Sequence, residues 1–401
     1  MRNFEPIKEC IACGNQELRK VLDLGTQPLA NSFKDDPHKF EEYYPLMINR
    51  CTNCYHVQLS HRVHPDLLFK NYLYVSGTSQ TQLDYFKWFR KMTVGPNDKT
   101  VLDVGCNDGS QLNEYKAFGL DTYGVDPAKN LYEISSENHK VICDYFNETT
   151  FDEGTKFDII VCQNAFAHNY NPLQFLKLAK KVMHKDSNLY ITTSQANMIL
   201  NGEFDTIYHE HISYYNIKSM NELCNRAGLN LVDVKSHSIH GGSYIFVINL
   251  ENKDEKNIKR LIAHEKKIGL YSAATYGKYT KKCKGIIKDL KIEMKKIQKL
   301  HIPIIGFGAA AKGNTLLNAT GIKLDFIIDE NPLKKNKFTP GSNIEIFGLE
   351  YLDLYGSFDK ICFVPLAWNF YDEIKKKIKL KRPDNKDIFV RYFPEILVED
   401  N

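Results

Sequence analysis

Thr100-Val-Leu-Asp-Val-Gly-Cys-Asn-Asp-Gly-Ser110 is an apolar run that passes into a turn carrying Gly105 and Gly109, and a helix-like stretch begins near Gln111. Strand, glycine turn and helix in that order let backbone approach a ligand closely at the carboxyl end of a parallel strand. The next strand-like run, Thr122-Tyr-Gly-Val-Asp126, closes on an acid. That acid lies about twenty residues beyond the turn, where a carboxylate can hold both hydroxyls of a ribose. Asp144, after Val141-Ile-Cys, and Asn164, after Asp158-Ile-Ile-Val-Cys-Gln, mark two further strand ends.

Such a loop serves either a dinucleotide or S-adenosylmethionine, and a glycine turn alone does not decide between them. Its side chains do. Asn107 stands where a dinucleotide fingerprint carries its second glycine. Asp103 and Asp108 would repel a pyrophosphate but attract a sulfonium and an ammonium. The reading is S-adenosylmethionine, held by Asp103, Gly105, Asn107, Asp108, Gly109, Asp126, Asp144 and Asn164.

Around this unit the chain of 401 residues is too long for one ordinary core, and two or three domains are expected. With 43% hydrophobic and 25% charged residues it is globular, and a net charge of +4 gives no case for nucleic acid. No apolar run approaches the ~18–20 residues that cross a bilayer. The opening MRNFEPIKEC lacks an apolar leader. A cytoplasmic monomer without membrane contact is expected. The stretch from about 253 to 299 is Lys-rich with helical apolar spacing and reads as a solvated connector. The expected domains are 1–70, 71–252 and 253–401.

Ten cysteines in a reducing compartment suggest metal before disulfide where they come in close pairs. Cys10 and Cys13 form one CxxC, Cys51 and Cys54 another. Two such knuckles complete a tetrahedral four-thiolate zinc site, closed to water and therefore structural.

Titratable groups gather at Ala165-Phe-Ala-His168 and at Tyr208-His-Glu210-His211. Burying such groups unpaired costs several kcal/mol, so packing alone is a poor account of them. HExxH zinc chemistry fails because Ser213 stands at the second histidine's place. General acid–base chemistry fits better. Upstream, Tyr72-Leu-Tyr74-Val-Ser-Gly-Thr-Ser79 concentrates hydroxyls that can line a sugar pocket, although turn and cap chemistry also accounts for the serines. Gly242 and Ser243 end a further loop that can bring backbone to a substrate.

A second strand–glycine loop–helix pattern runs through Ile304-Ile-Gly-Phe-Gly308-Ala-Ala-Ala-Lys312-Gly313, and Asp329 ends the following strand-like run. The pattern suits NAD or another nucleotide diphosphate, with Lys312 as a cation for phosphate and Lys334 on the following loop.

Many segments together resemble one family, the zinc-containing, S-adenosylmethionine-dependent sugar C-methyltransferases of deoxysugar pathways, of the tetronitrose type. They include GTQPLANSF, YPLMINRCTNCYHVQL, YLYVSGTS, DVGCNDG, FAHNYNP, YHEHISYY, HGGSY, GFGAAAKGNTLLN, IIDENPLKKNKFTPG, PLAWNF and FPEIL. The resemblance implies an α/β chain: a small zinc domain, a central Rossmann-like methyltransferase domain and a carboxyl-terminal Rossmann-like domain for a sugar nucleotide. It implies methylation beside the ketone, at C3, of a nucleotide-linked 4-keto-deoxysugar (dTDP or similar). It implies catalytic roles for His168, Tyr208, Glu210 and His211, with Tyr72 and Tyr74 beside the substrate. It assigns the second loop, with Gly308, Lys312, Asp329 and Lys334, to the sugar nucleotide rather than NAD. Two positions depart from the family. Tyr244-Ile245 follow Ser243 where Leu-Arg is usual, and Gly77 replaces a frequent serine. The rival readings are an O- or N-methyltransferase on a similar sugar, an NAD-dependent oxidoreductase or epimerase, and a non-catalytic sugar-nucleotide binder.

Overall fold

A computed structural model describes residues 3–70, 72–194, 197–251 and 255–400. Its contacts divide into two compact units that take turns along the chain. The first comprises 1–20, 48–197 and 210–272; the second comprises 21–47, 198–209 and 273–401.

The first unit is built on a seven-stranded sheet. Its order is Asn230–His237, Ser243–Asn249, Met183–Ser194, Phe157–Gln163, Thr100–Val104, Asp121–Val125 and Lys140–Ile142. Only Ser243–Asn249 runs against its neighbours. The inner strands carry apolar side chains toward both faces because both faces are covered. Leu102, Ile160, Cys162 and Ile191 enter one core, while Val101, Ile159 and Val161 enter another. Thr100–Val104 pairs with Asp121–Val125 on one side and Phe157–Gln163 on the other. The strand order therefore reverses at Thr100–Val104, which opens a ligand crevice beyond its carboxyl end.

Also in this unit, Val57–Leu59 pairs with Ser213–Tyr214 and with the far end of Tyr44–Cys51. The helix Ile217–Ala227 follows directly. Asn216 caps it, accepting from the Ser219 amide at 2.7 Å, and Gly228 ends it with φ 69°.

In the second unit the sheet order is Ile346–Phe347, Phe326–Ile328, Ile304–Phe307, Cys362–Pro365, Ile388–Arg391 and Leu397–Asp400. All pairs are parallel except the last. Order reverses again at Ile304–Phe307, so the second glycine loop also sits at a switch point. The Lys-rich stretch forms two helices, Glu255–Lys267 in the first unit and Ala273–Gln298 in the second. In the second helix Tyr276, Tyr279, Cys283, Ile286, Leu290, Met294 and Ile297 form a buried stripe at three- and four-residue spacing, leaving the lysines to solvent.

Candidate functional site

The first glycine loop is shaped by its backbone. Gly105, Asn107 and Gly109 all have positive φ, at 85°, 52° and 79°. A Cβ on Gly105 would lie 2.5 Å from that of Ala165, so no other residue fits there. Gly109 starts the helix Ser110–Ala117. Asp126 fixes the turn by accepting from the Asn107 amide at 2.9 Å and the Ala128 amide at 2.8 Å. Burial pushes its carboxyl up.

Asp103 is buried, and its Oδ1 has no hydrogen-bond partner among the described residues. Burial, with Asp126 and Asp108 adding like charge, raises its carboxyl to about 8. Gln163 Oε1 and Asn164 Oδ1, at the end of the neighbouring strand, are buried acceptors in the same condition. Buried acceptors without donors mark a place where a donor-rich ligand belongs. The ammonium of S-adenosylmethionine supplies such donors, so the residues present fit that cofactor. Asp144 is exposed and bonds locally, to the Tyr145 amide and the Asn147 side chain.

Asn107 and Asp108 direct their side chains elsewhere. Asn107 accepts from the Ser76 amide at 3.0 Å and donates to the Tyr74 carbonyl at 3.1 Å. Asp108 accepts from the Gly77 amide at 2.8 Å. Asn130, a position the sequence did not single out, donates to the Tyr72 carbonyl at 2.9 Å and accepts from its amide at 3.0 Å. Segment 72–77 is thereby strapped to the cofactor loop and to the helix Lys129–Ser136.

Tyr72 donates its hydroxyl to Glu210 Oε2 at 2.9 Å. Phe69 packs on Tyr72 and lies stacked on His168, with ring centres 5.6 Å apart and planes 8° apart. His168 in turn faces His211 at 5.2 Å. Tyr72, His168, Glu210 and His211 thus form one cluster in the first unit. Glu210 and His211 are buried there. Burial lowers His168 to about 4, so it is neutral at pH 7, and its Nε2 is buried without a partner among the described residues. Tyr208 belongs to the stretch assigned to the second unit, as does His209, which bonds the Tyr44 carbonyl at 3.3 Å. Gly242, at φ 118°, leads into Ser243–Asn249, and Ser243 donates to the Ile239 carbonyl at 3.1 Å.

The four candidate zinc ligands converge. Cys10 and Cys54 sulfurs lie 3.5 Å apart, Cys13 and Cys51 sulfurs 3.6 Å apart, and all four fall within 4.8 Å of one another. Four thiolates about 2.3 Å from one zinc ion stand roughly 3.8 Å from each other, so the set fits a tetrahedral ion. Asn216 donates to the Cys54 and Tyr55 carbonyls at 3.1 and 2.9 Å, and Arg226 to the Ala12 carbonyl at 2.6 Å. One helix therefore holds both knuckles, a role that no motif announced.

In the second unit, Gly308 has φ 87° and Asp329 accepts from the Ala309 amide at 2.7 Å. Lys334 donates to the Ala309 carbonyl at 2.8 Å and lies 3.5 Å from Asp329. Lys312 stands 4.8 Å from the centre of the Trp368 ring. Sequence reasoning passed over Asp205, which is buried and accepts from Trp368 Nε1 and the Tyr392 hydroxyl, each at 2.9 Å. Burial raises its carboxyl, against the pull of Lys312. Among glycine-loop signals, an isolated acid in Gly202-Glu-Phe-Asp205 had nothing to mark it.

Comparison with known proteins covers most of the chain. A zinc binding domain model matches residues 10–69, a methyltransferase domain model 79–234 and a C-methyltransferase C-terminal domain model 238–394. The C-methyltransferase NovU of Streptomyces niveus is 26% identical over 92% of this chain and 91% of its own length. The ubiquinone biosynthesis O-methyltransferase of Glaesserella parasuis is 29% identical over 25% of this chain and 48% of its own. Among solved structures, an S-adenosylmethionine-dependent methyltransferase from Clostridium acetobutylicum aligns with 43% of this chain and 91% of its own, at 12% identity and a TM-score of 0.34.

Proposed function

Because this chain is an S-adenosylmethionine-dependent C-methyltransferase with a four-cysteine zinc site, homologous to NovU, we propose that its acceptor is C3 of a nucleotide-linked 4-keto-deoxysugar. The observation that carries this reading is the cluster of Tyr72, His168, Glu210 and His211, which places acid–base groups together in the unit that carries the cofactor loop. A saturated sugar carbon is not a nucleophile. A ketone at C4 acidifies the C3 proton, and a base can then leave an enolate.

In the proposed reaction His211 takes that proton, with Tyr208 as the alternative base. Neutral His168, Tyr208 or a protonated Glu210 donates to the enolate oxygen, and Tyr72 holds Glu210 in place. Acid–base assistance of this kind contributes ~10²–10⁴-fold. The bound cofactor supplies an electrophilic methyl group, and the protein's remaining task is to align C3 with it. Gly308, Lys312, Asp329 and Lys334 are proposed as sugar-nucleotide contacts, and Tyr74, Gly242 and Ser243 as further substrate contacts.

The test is methyl-¹³C S-adenosylmethionine with a panel of nucleotide 4-keto-6-deoxysugars, read by NMR. Label on ring carbon 3 is expected. Label on oxygen or nitrogen would overturn the enolate chemistry while leaving the cofactor in place.

A further inference from the structure

The strap between Tyr72 and Gly77 is bound to the cofactor loop by side chains that a cofactor loop would ordinarily turn toward its ligand. Asn107 makes two bonds to it and Asp108 one. Gly77 makes this approach possible. A Cβ there would lie 2.4 Å from Ser110 Oγ and 2.8 Å from Asp108 Oδ2. The other end of the strap carries Tyr72, whose hydroxyl bonds Glu210 and whose ring meets Phe69, which stacks on His168.

We propose that Gly77, Asn107 and Asp108 are positioning residues, a latch through which S-adenosylmethionine binding sets the strap and with it Tyr72 against Glu210. The Asn107 amide also bonds Asp126, the acid placed to hold the ribose, so a ligand that fixes Asp126 fixes the residue that grips Ser76. Cofactor loading and assembly of the acid–base cluster become one event. This rests on the cofactor site and is independent of which sugar is methylated.

Linkage makes the latch measurable without a sugar, because a ligand favouring the latched state is itself favoured by it to the same extent. The Ser76 and Gly77 amides donate directly to Asn107 and Asp108, so their hydrogen exchange reports the latch. With S-adenosylhomocysteine as the probe, exchange at these amides should slow about tenfold in the native protein. Gly77→Ala should cut that slowing to about twofold or less and weaken S-adenosylhomocysteine binding by the lost factor. The atoms it meets are ends of side chains, so the fold can accommodate it. Should Gly77→Ala fail to fold, the pair Asp108→Ala and Asp108→Asn decides. The first should lose the slowing, and the second, which keeps an acceptor for the Gly77 amide, should restore most of it. Exchange that ignores S-adenosylhomocysteine in the native protein, or equal slowing in every variant, would overturn the latch. Neither result would bear on the choice of sugar.

Discussion

Replacing Asn216 by Ala should loosen the zinc knuckles and the helix after the catalytic segment in one step. Asn216 is fully buried and spends every side-chain atom. Its Oδ1 caps Ile217–Ala227 through the Ser219 amide, and its Nδ2 holds the carbonyls of Cys54 and Tyr55. Loss of an Asn cap costs about 1 kcal/mol. Each lost bond to a knuckle carbonyl costs about 1 kcal/mol more, since the buried carbonyl gains no other donor. The sum is about 3 kcal/mol, or roughly 6–12 °C in Tm for a unit of this size. Two assays check it: thermal unfolding followed by circular dichroism, and the rate at which a chromophoric chelator withdraws zinc. Asn216→Ser keeps a capping oxygen but no donor to the knuckle, and should fall between. A Tm loss below about 2 °C, with unchanged zinc release, would refute the view that this side chain ties metal site to helix.

Other outcomes follow from the same geometry. Asp103 has a folded value of about 8 against an ordinary 3.8, so between these values the native carboxyl holds a proton that the unfolded chain has lost. Stability of the cofactor-free protein should therefore fall as pH rises through that window, by up to ~1.4 kcal/mol per unit, and Asp103→Asn should flatten the fall in a Tm–pH series. Gly105→Ala should abolish S-adenosylhomocysteine binding in calorimetry, because φ 85° and the 2.5 Å approach to Ala165 both oppose a Cβ. On the proposed mechanism, His211→Ala should lower methyl transfer by ~10²–10⁴-fold while the cofactor still binds. Tyr72→Phe removes a hydrogen bond to Glu210 worth about 0.5–1.5 kcal/mol, so turnover should drop by roughly two- to tenfold.

The parts of this molecule that repeat a local pattern were legible in the chain. Val101-Leu-Asp-Val and Asp158-Ile-Ile-Val-Cys are mostly apolar, which is why they read as strands, and both lie inside the parallel part of the sheet. The four cysteines were legible because a thiolate pair at CxxC spacing has one obvious purpose, and their sulfurs do converge. Asp108 was read by its charge and Asn107 by its place in the loop, and neither reading reached the bonds that their side chains make to the strap thirty-odd positions earlier. That partner is set by tertiary approach and leaves no spacing to read. Asn130 and Asn216 escaped for the same reason, since an asparagine that binds distant carbonyls looks like any turn or cap residue. Asp205 needed Trp368 and Tyr392, far along the chain, to become recognisable.

The way the chain alternates between units has a consequence for how it is made. Residues 21–47 leave the ribosome early, yet the sheet of their unit begins only at Ile304 and ends at Asp400. The first unit can close once Ser272 has emerged, while 21–47 and 198–209 wait for residues 304–400. Early termination would release a chain whose methyltransferase sheet is whole but whose waiting segments have no unit to join. Truncations after Ser272 should accordingly be found with chaperones or in aggregates rather than as a smaller working enzyme, and longer chains should gain their final protease resistance only once residues 304–400 have emerged.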